Sequence, residues 1–133
     1  MAKIKTRPEN NWQNYLTKAE QFLQSATDAF IKENWNAVGL TTVHAAISAN
    51  DALTSYLAGV RSTSDKHSDA AELLLEHSEN KKEAAEFLKH YSWLISRKNL
   101  VEYESRLFYK KEAEEALKHA ERFLEWTKNK LTI

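Results

Sequence analysis

A histidine and an aspartate with helical spacing are the first residues in this chain that could act together on a ligand. His44 and Asp51 are seven positions apart in a mostly apolar segment, so on a helix their side chains share one side. A histidine beside a carboxylate can hold or transfer a proton near neutral pH. The same two residues can also belong to a polar strip whose hydrogen bonds are all made within a crowded, mostly apolar helix. The spacing alone does not separate the two interpretations.

The other histidines give weaker patterns. Glu86 and His90 are four residues apart, as are Glu115 and His119, a spacing that usually produces ordinary contacts on a helix surface. No histidine pair has the spacing of a zinc protease, no Glu-x-x-His motif occurs, and the chain has no cysteine. The sequence therefore predicts neither a metal site nor a cofactor, and it contains no glycine-rich phosphate loop.

The chain is patterned almost entirely as amphipathic helices, with only two glycines and one proline in 133 residues. The first expected helix runs from a capping box at Thr6–Glu9 to about Phe30, and a central helix follows between an Asn34 cap and Gly59. After a loop over 61–66 we expect a short helix from Asp65 or Asp69 to His77. A long fourth helix from an Asn80 capping box through Val101 and a last helix from Tyr109 or Lys110 to about Lys130 complete the chain.

The central helix is the element against which the others must pack, because it is apolar around most of its circumference. The connections are short, which favours antiparallel neighbours. We therefore predict an all-α single domain over residues 1–133, built as an antiparallel up-and-down four-helix bundle with an additional short helix. Trp126 lies off the inward stripe of the last helix, where, with Trp93, it suits a dimer interface or a loop contact.

Charge and hydropathy argue against several kinds of partner. Nineteen basic residues balance nineteen acidic ones, so the chain lacks the broad positive charge of a DNA-binding domain. No stretch approaches eighteen apolar residues, and the basic N-terminus is not followed by an apolar segment. We expect a cytoplasmic protein that binds neither DNA nor membrane.

Four segments connect the chain to a known family. They are LISRKNLVEY at 94–103, HAA at 44–46, the Lys66-His67 pair and the closing run KKEAEEALKHAERFLEW. Together and in this order they resemble the HEPN superfamily, the higher-eukaryote and prokaryote nucleotide-binding domains. The resemblance spans nearly the whole chain. It implies a bundle of four to five helices that commonly forms a homodimer, is often encoded beside a minimal nucleotidyltransferase, and in some members is a metal-independent RNase.

In the RNase members an Arg is followed by four to six residues and then a His, commonly in a run like Arg-Asn-x-x-x-His-x-Tyr. Arg97 takes the place of that Arg, and Asn99 and Tyr103 match the run loosely, but Glu102 stands where the His belongs. An exposed Glu is a poor acid at pH 7 and brings negative charge towards a phosphate. A second match, Arg61 followed by five residues and His67, crosses a predicted loop, and we interpret it as chance.

Three functions follow from these patterns. The first is a non-catalytic domain that binds a nucleotide, RNA or a nucleotidyltransferase partner. The second is an RNase of a toxin–antitoxin or phage-defence module, with an antitoxin encoded nearby, in which Arg97 is essential and Glu102 or a histidine from elsewhere completes the site. The third is a purely structural dimerisation module. In the first function the candidate ligand-binding residues are Arg97, Lys98, Asn99, Tyr103, His44, Asp51 and His67.

Overall fold

The computed structural model describes residues 3–131, and this part of the chain forms six helices and one short antiparallel pair of strands. The elements are β1 (Thr6–Pro8), α1 (Trp12–Ile31), α2 (Trp35–Ala58), β2 (Val60–Ser62), α3 (His67–His77), α4 (Lys81–Ile95), α5 (Lys98–Tyr103) and α6 (Lys110–Lys130). The predicted all-α helical bundle is confirmed. Its long helices are α1, α2, α4 and α6, and no described helix is both long and apolar enough to cross a bilayer.

Helix α2 is the centre of the bundle, as its sequence predicts. It contacts α1, α3, α4, α5 and α6, and more than half of its residues are buried. Ala45, Ala46 and Ala49 are each at most 2% exposed, so their small side chains allow neighbouring helices to approach closely. Gly59 ends the helix in the left-handed conformation with φ of 65°, which a residue without Cβ adopts at little cost.

The predicted start of the first helix at Thr6 is wrong. Thr6 pairs with Ser62 and Pro8 with Val60, so 6–8 form a strand, and α1 begins only at Trp12. Pro8 disfavours helical geometry at the residue before it and has no N–H to donate, which suits the end of an edge strand. The predicted loop at 61–66 accordingly begins with the partner strand β2.

The predicted long fourth helix is also wrong, because it breaks at Ser96 and Arg97. The Ser96 hydroxyl and the Arg97 guanidinium both donate to the Trp93 carbonyl, at 2.7 and 3.0 Å, which removes that acceptor from helix continuation. The chain changes direction there, and α5 continues as a separate short helix packed on α2. By contrast, Asn80 caps α4 as predicted, its side chain accepting from the Glu83 N–H at 3.0 Å.

Trp126 lies inside the bundle, so the interpretation of this side chain as part of a dimer surface is wrong. It is 6% exposed and stacks on Phe87, with ring centres 5.2 Å apart and planes within 3°. Its indole N–H donates to the Glu83 carboxylate at 2.7 Å. The hydrogen bond explains how a side chain off the apolar stripe of α6 is still buried.

Candidate functional site

Gly39 positions α5, the helix that carries half of the candidate residues. A Cβ atom at Gly39 would lie 2.7 Å from Val101 Cγ1 and 3.0 Å from Phe108 Cδ2, so α5 and the segment after it can approach α2 only where α2 has no side chain. The Asn36 side chain accepts a hydrogen bond from the Phe108 N–H at 2.8 Å, which holds the same segment. These contacts place Glu102 of α5 beside His44.

Glu102, which the sequence predicts to replace the histidine of the RNase members, joins α5 to α2. Its carboxylate accepts from Lys98 Nζ at 2.9 Å and from His44 Nε2 at 3.0 Å, and its side chain is 12% exposed. Because a carboxylate only accepts, His44 Nε2 must carry a proton in this contact. Burial acts to raise the pKa of Glu102, but the hydrogen bonds from Lys98 and His44 outweigh it and hold the pKa below its ordinary value. Glu102 is therefore ionised at neutral pH.

His67, the first residue of α3, belongs to the same group of side chains. The buried Tyr91 hydroxyl donates to the His67 carbonyl at 2.9 Å and fixes the start of α3 against α4. Burial lowers the pKa of the His67 imidazole, and the nearby charges of Lys98 and His44 lower it further. His67 is thus neutral at pH 7. We call His44, His67, Lys98 and Glu102 the histidine–lysine cluster.

Asp51 and Arg61 form an ion pair next to this cluster. Arg61 Nε donates to Asp51 Oδ2 at 3.0 Å, the Asp51 side chain is 7% exposed, and the guanidinium also lies over the Tyr15 ring. Burial raises the pKa of Asp51, and the charge of Arg61 only partly opposes it. Burial, Lys98 and His44 lower the pKa of His67, and the charge of Arg61 lowers it by less. Arg61 is not among the predicted candidate residues, because its match with His67 was interpreted as chance.

The remaining candidate residues lie at the edge of the cluster or outside it. Arg97 stacks on Trp93, with the guanidinium carbon 3.6 Å from the ring centre, and donates to the Trp93 carbonyl and the Ser96 hydroxyl. Tyr103 is 77% exposed, with Lys98 Nζ 5.8 Å from its ring centre. Asn99 is exposed on α5.

The cluster offers hydrogen-bond donors, each already paired with a carboxylate, rather than a set of metal ligands. Lys98 and His44 direct N–H groups at one carboxylate, and Arg61 adds a cation nearby. Within residues 3–131, no group of three or more His, Asp or Glu side chains is arranged to hold a metal ion. Donors that converge on an anion suit a phosphate or carboxylate ligand.

The fold and the cluster together define an all-α domain in which α2, α3 and α5 bring histidine, lysine and carboxylate groups together. The HEPN domain model matches residues 12–131, and the chain therefore belongs to the HEPN family. The crystal structure of TT1696 from Thermus thermophilus is similar, with a TM-score of 0.75 and 21% identity over 92% of this chain and 99% of that chain. At this identity the likeness concerns the fold alone. No curated protein has a significant sequence match.

Proposed function

We propose that this HEPN domain binds the phosphate of a nucleotide or RNA at the histidine–lysine cluster and does not cleave it. The observation that carries the proposal is the Glu102 carboxylate held between Lys98 and His44. This contact supports both parts of the proposal, because two donors converge there on an anion and because an ionised group stands where the RNases have histidine.

The binding part rests on the two donors. Lys98 Nζ and His44 Nε2 contact different oxygens of one carboxylate, at 2.9 and 3.0 Å. The oxygens of a phosphate can accept the same two hydrogen bonds, and an anionic acceptor strengthens both. Lys98 is 22% exposed and His44 is 38% exposed, so a ligand can reach them from solvent. In this arrangement Glu102 acts as an internal competitor that a phosphate displaces.

The non-catalytic part rests on proton chemistry. Cleavage of RNA by its own 2′-hydroxyl needs one group to take that proton and another to supply a proton to the leaving oxygen. Glu102 has a lowered pKa and accepts two hydrogen bonds, so at pH 7 it has no proton to supply. Its negative charge also opposes the charge that develops on the phosphate.

Binding and cleavage of a labelled single-stranded RNA in EDTA test the proposal in one experiment. Lys98→Gln should weaken binding about tenfold or more and reduce the salt dependence by roughly one phosphate contact. Lys128→Gln is the matched control, because Lys128 pairs with Glu20 at 3.1 Å on the α1–α6 side of the bundle. Equal weakening by both variants would overturn the site, and wild-type cleavage in EDTA would overturn the non-catalytic assignment.

A metal-independent RNase is the second candidate, because two histidines lie in the cluster and an arginine, Arg61, lies next to it. His67 is neutral at pH 7 and could take a proton, while the doubly protonated imidazolium form of His44 could supply one. Arg61 lies near enough to His67 to lower its pKa and could hold a phosphate. This candidate predicts wild-type cleavage in EDTA that is lost in His67→Gln. Glu102→His should increase cleavage, because it restores the family's histidine.

A further inference from the structure

Tyr103 is an aromatic side chain that the fold leaves in solvent. It is the last residue of α5 and is 77% exposed, which is more than any other large aliphatic or aromatic residue among residues 3–131. Helix α5 has no buried residues, so the ring contributes little to the packing of the bundle. Its apolar face is therefore free to pack against a ligand.

The exposed ring lies beside the proposed phosphate site, and Lys98 is the residue that both share. Lys98 Nζ is 5.8 Å from the centre of the Tyr103 ring and 2.9 Å from Glu102 Oε1. An ammonium group at the first distance is near the outer limit of a cation–π contact, so it leaves the ring largely uncovered. A phosphate that takes the place of the Glu102 carboxylate at Lys98 is therefore about one nucleotide away from the ring.

We propose that Tyr103 is the platform on which an unpaired base stacks while an RNA phosphate binds at the histidine–lysine cluster. This role depends on the proposed phosphate site and makes single-stranded RNA its ligand class. The bases of a duplex are stacked on one another, so they are not free to stack on a protein side chain. Every base has a π-face, so stacking on an aromatic ring tolerates any sequence. The domain should select unpaired strands without a strong preference for sequence.

Tyr109 is a second exposed tyrosine beside a cation, but that cation is not part of the cluster. Its side chain is 60% exposed, and the Arg106 guanidinium carbon is 5.6 Å from its ring centre. Arg106 donates two hydrogen bonds to the Glu112 carboxylate, at 3.0 and 2.7 Å, so it belongs to the start of α6. Tyr109 therefore matches Tyr103 in residue type, exposure and a neighbouring cation, and differs in its distance from the phosphate site.

Fluorescence anisotropy with two labelled strands of equal length and charge tests the stacking role. One strand is a single-stranded RNA of mixed sequence, and the other is an abasic ribose-phosphate strand. Tyr103→Leu should weaken binding of the RNA about tenfold and leave binding of the abasic strand unchanged, because only the RNA has bases to stack. Tyr103→Trp keeps an aromatic ring and should retain the affinity for RNA. Tyr109→Leu should bind both strands as the wild type does.

Three results would overturn the stacking role. They are a Tyr103→Leu variant that binds RNA as tightly as the wild type, an equal loss for the abasic strand, and an equal loss in Tyr109→Leu. Lys98→Gln distinguishes these results from a failure of the phosphate site. It should weaken binding of both strands, and unchanged binding of both would refute the phosphate site itself.

A measurement on the wild type decides the question if a Tyr103 variant is unfolded by circular dichroism. Adenosine monophosphate should shift the NMR signals of the Tyr103 ring protons upfield, because a stacked base places them in its ring current. Inorganic phosphate at the same concentration should not produce this shift. Equal shifts with both ligands, or none with adenosine monophosphate, would overturn the proposal.

Discussion

Gly39→Ala is the change that most directly tests how the site is positioned. Alanine stabilises a helix interior by about 1 kcal/mol relative to glycine, so propensity alone predicts a gain. In this structure the added Cβ would meet Val101 Cγ1 at 2.7 Å and Phe108 Cδ2 at 3.0 Å, where ordinary carbon contacts are about 3.5–4.0 Å. Neither neighbour moves freely, because valine is restricted at χ1 and Phe108 is 3% exposed.

The magnitude follows from the balance of these two effects. Overpacking of this kind costs about 1–3 kcal/mol, which exceeds the propensity gain and leaves a net loss of about 1 kcal/mol. Helix α5 has no buried residues, so it can relieve the strain by moving away from α2. The loss of stability should therefore be small. The displacement of Lys98 and Glu102 from His44 should be the larger consequence.

Thermal unfolding and amide hydrogen exchange measure the two consequences separately. For a chain of 133 residues, 1 kcal/mol corresponds to a Tm lower by about 3–4 °C. The amides of α5 should exchange faster in the variant than in the wild type, and those of α4 should exchange as in the wild type. Val101→Ala in the Gly39→Ala background removes the closest contact and should restore part of the Tm. A Gly39→Ala variant more stable than the wild type, with unchanged exchange in α5, would refute the tight contact.

Two further predictions concern charge. Glu102→Gln removes the anion that competes with an RNA phosphate for Lys98 and His44, so the affinity for single-stranded RNA should rise about tenfold. Fluorescence anisotropy measures this affinity, and unchanged or weaker binding would contradict the competition. The pKa values of His90 and His119 lie below the ordinary value, so below about pH 6.5 the unfolded chain binds more protons than the folded one. The free energy of unfolding in urea should therefore fall as the pH falls from 7.5 to 5.5. The double variant His90→Gln/His119→Gln should reduce that dependence, and an identical slope would exclude the pair as its source.

The sequence predicted two helix ends that depend on local residues, the end of α2 and the start of α4. Gly59 ends α2 because glycine adopts positive φ easily, and Asn80 caps α4 because its side chain reaches a free N–H three residues later. The strand pair and the break at Ser96 were not predicted. A strand of three residues has no measurable periodicity, and the Ser96 and Arg97 contacts with the Trp93 carbonyl do not alter the apolar spacing.

For the candidate residues, too, the sequence identified single side chains and the structure shows which of them are in contact. The sequence identified His44, Lys98 and Glu102 as separate candidates, and the structure brings the three into one hydrogen-bonded group. Arg61 was not among the predicted candidates, because an arginine and a histidine separated by five residues in a predicted loop need not lie close together. Arg97, another candidate ligand-binding residue, stacks on Trp93.

The sequence by itself determined that this chain is a helical bundle and, through the resemblance of its motifs, to which family it belongs. Helical periodicity and capping act within a few residues, so they can be read along the chain. Only the tertiary structure decided which polar side chains meet. Glu102 contacts His44 across 58 residues and His90 contacts His119 across 29, because the packing of α5 on α2 and of α4 on α6 sets those distances.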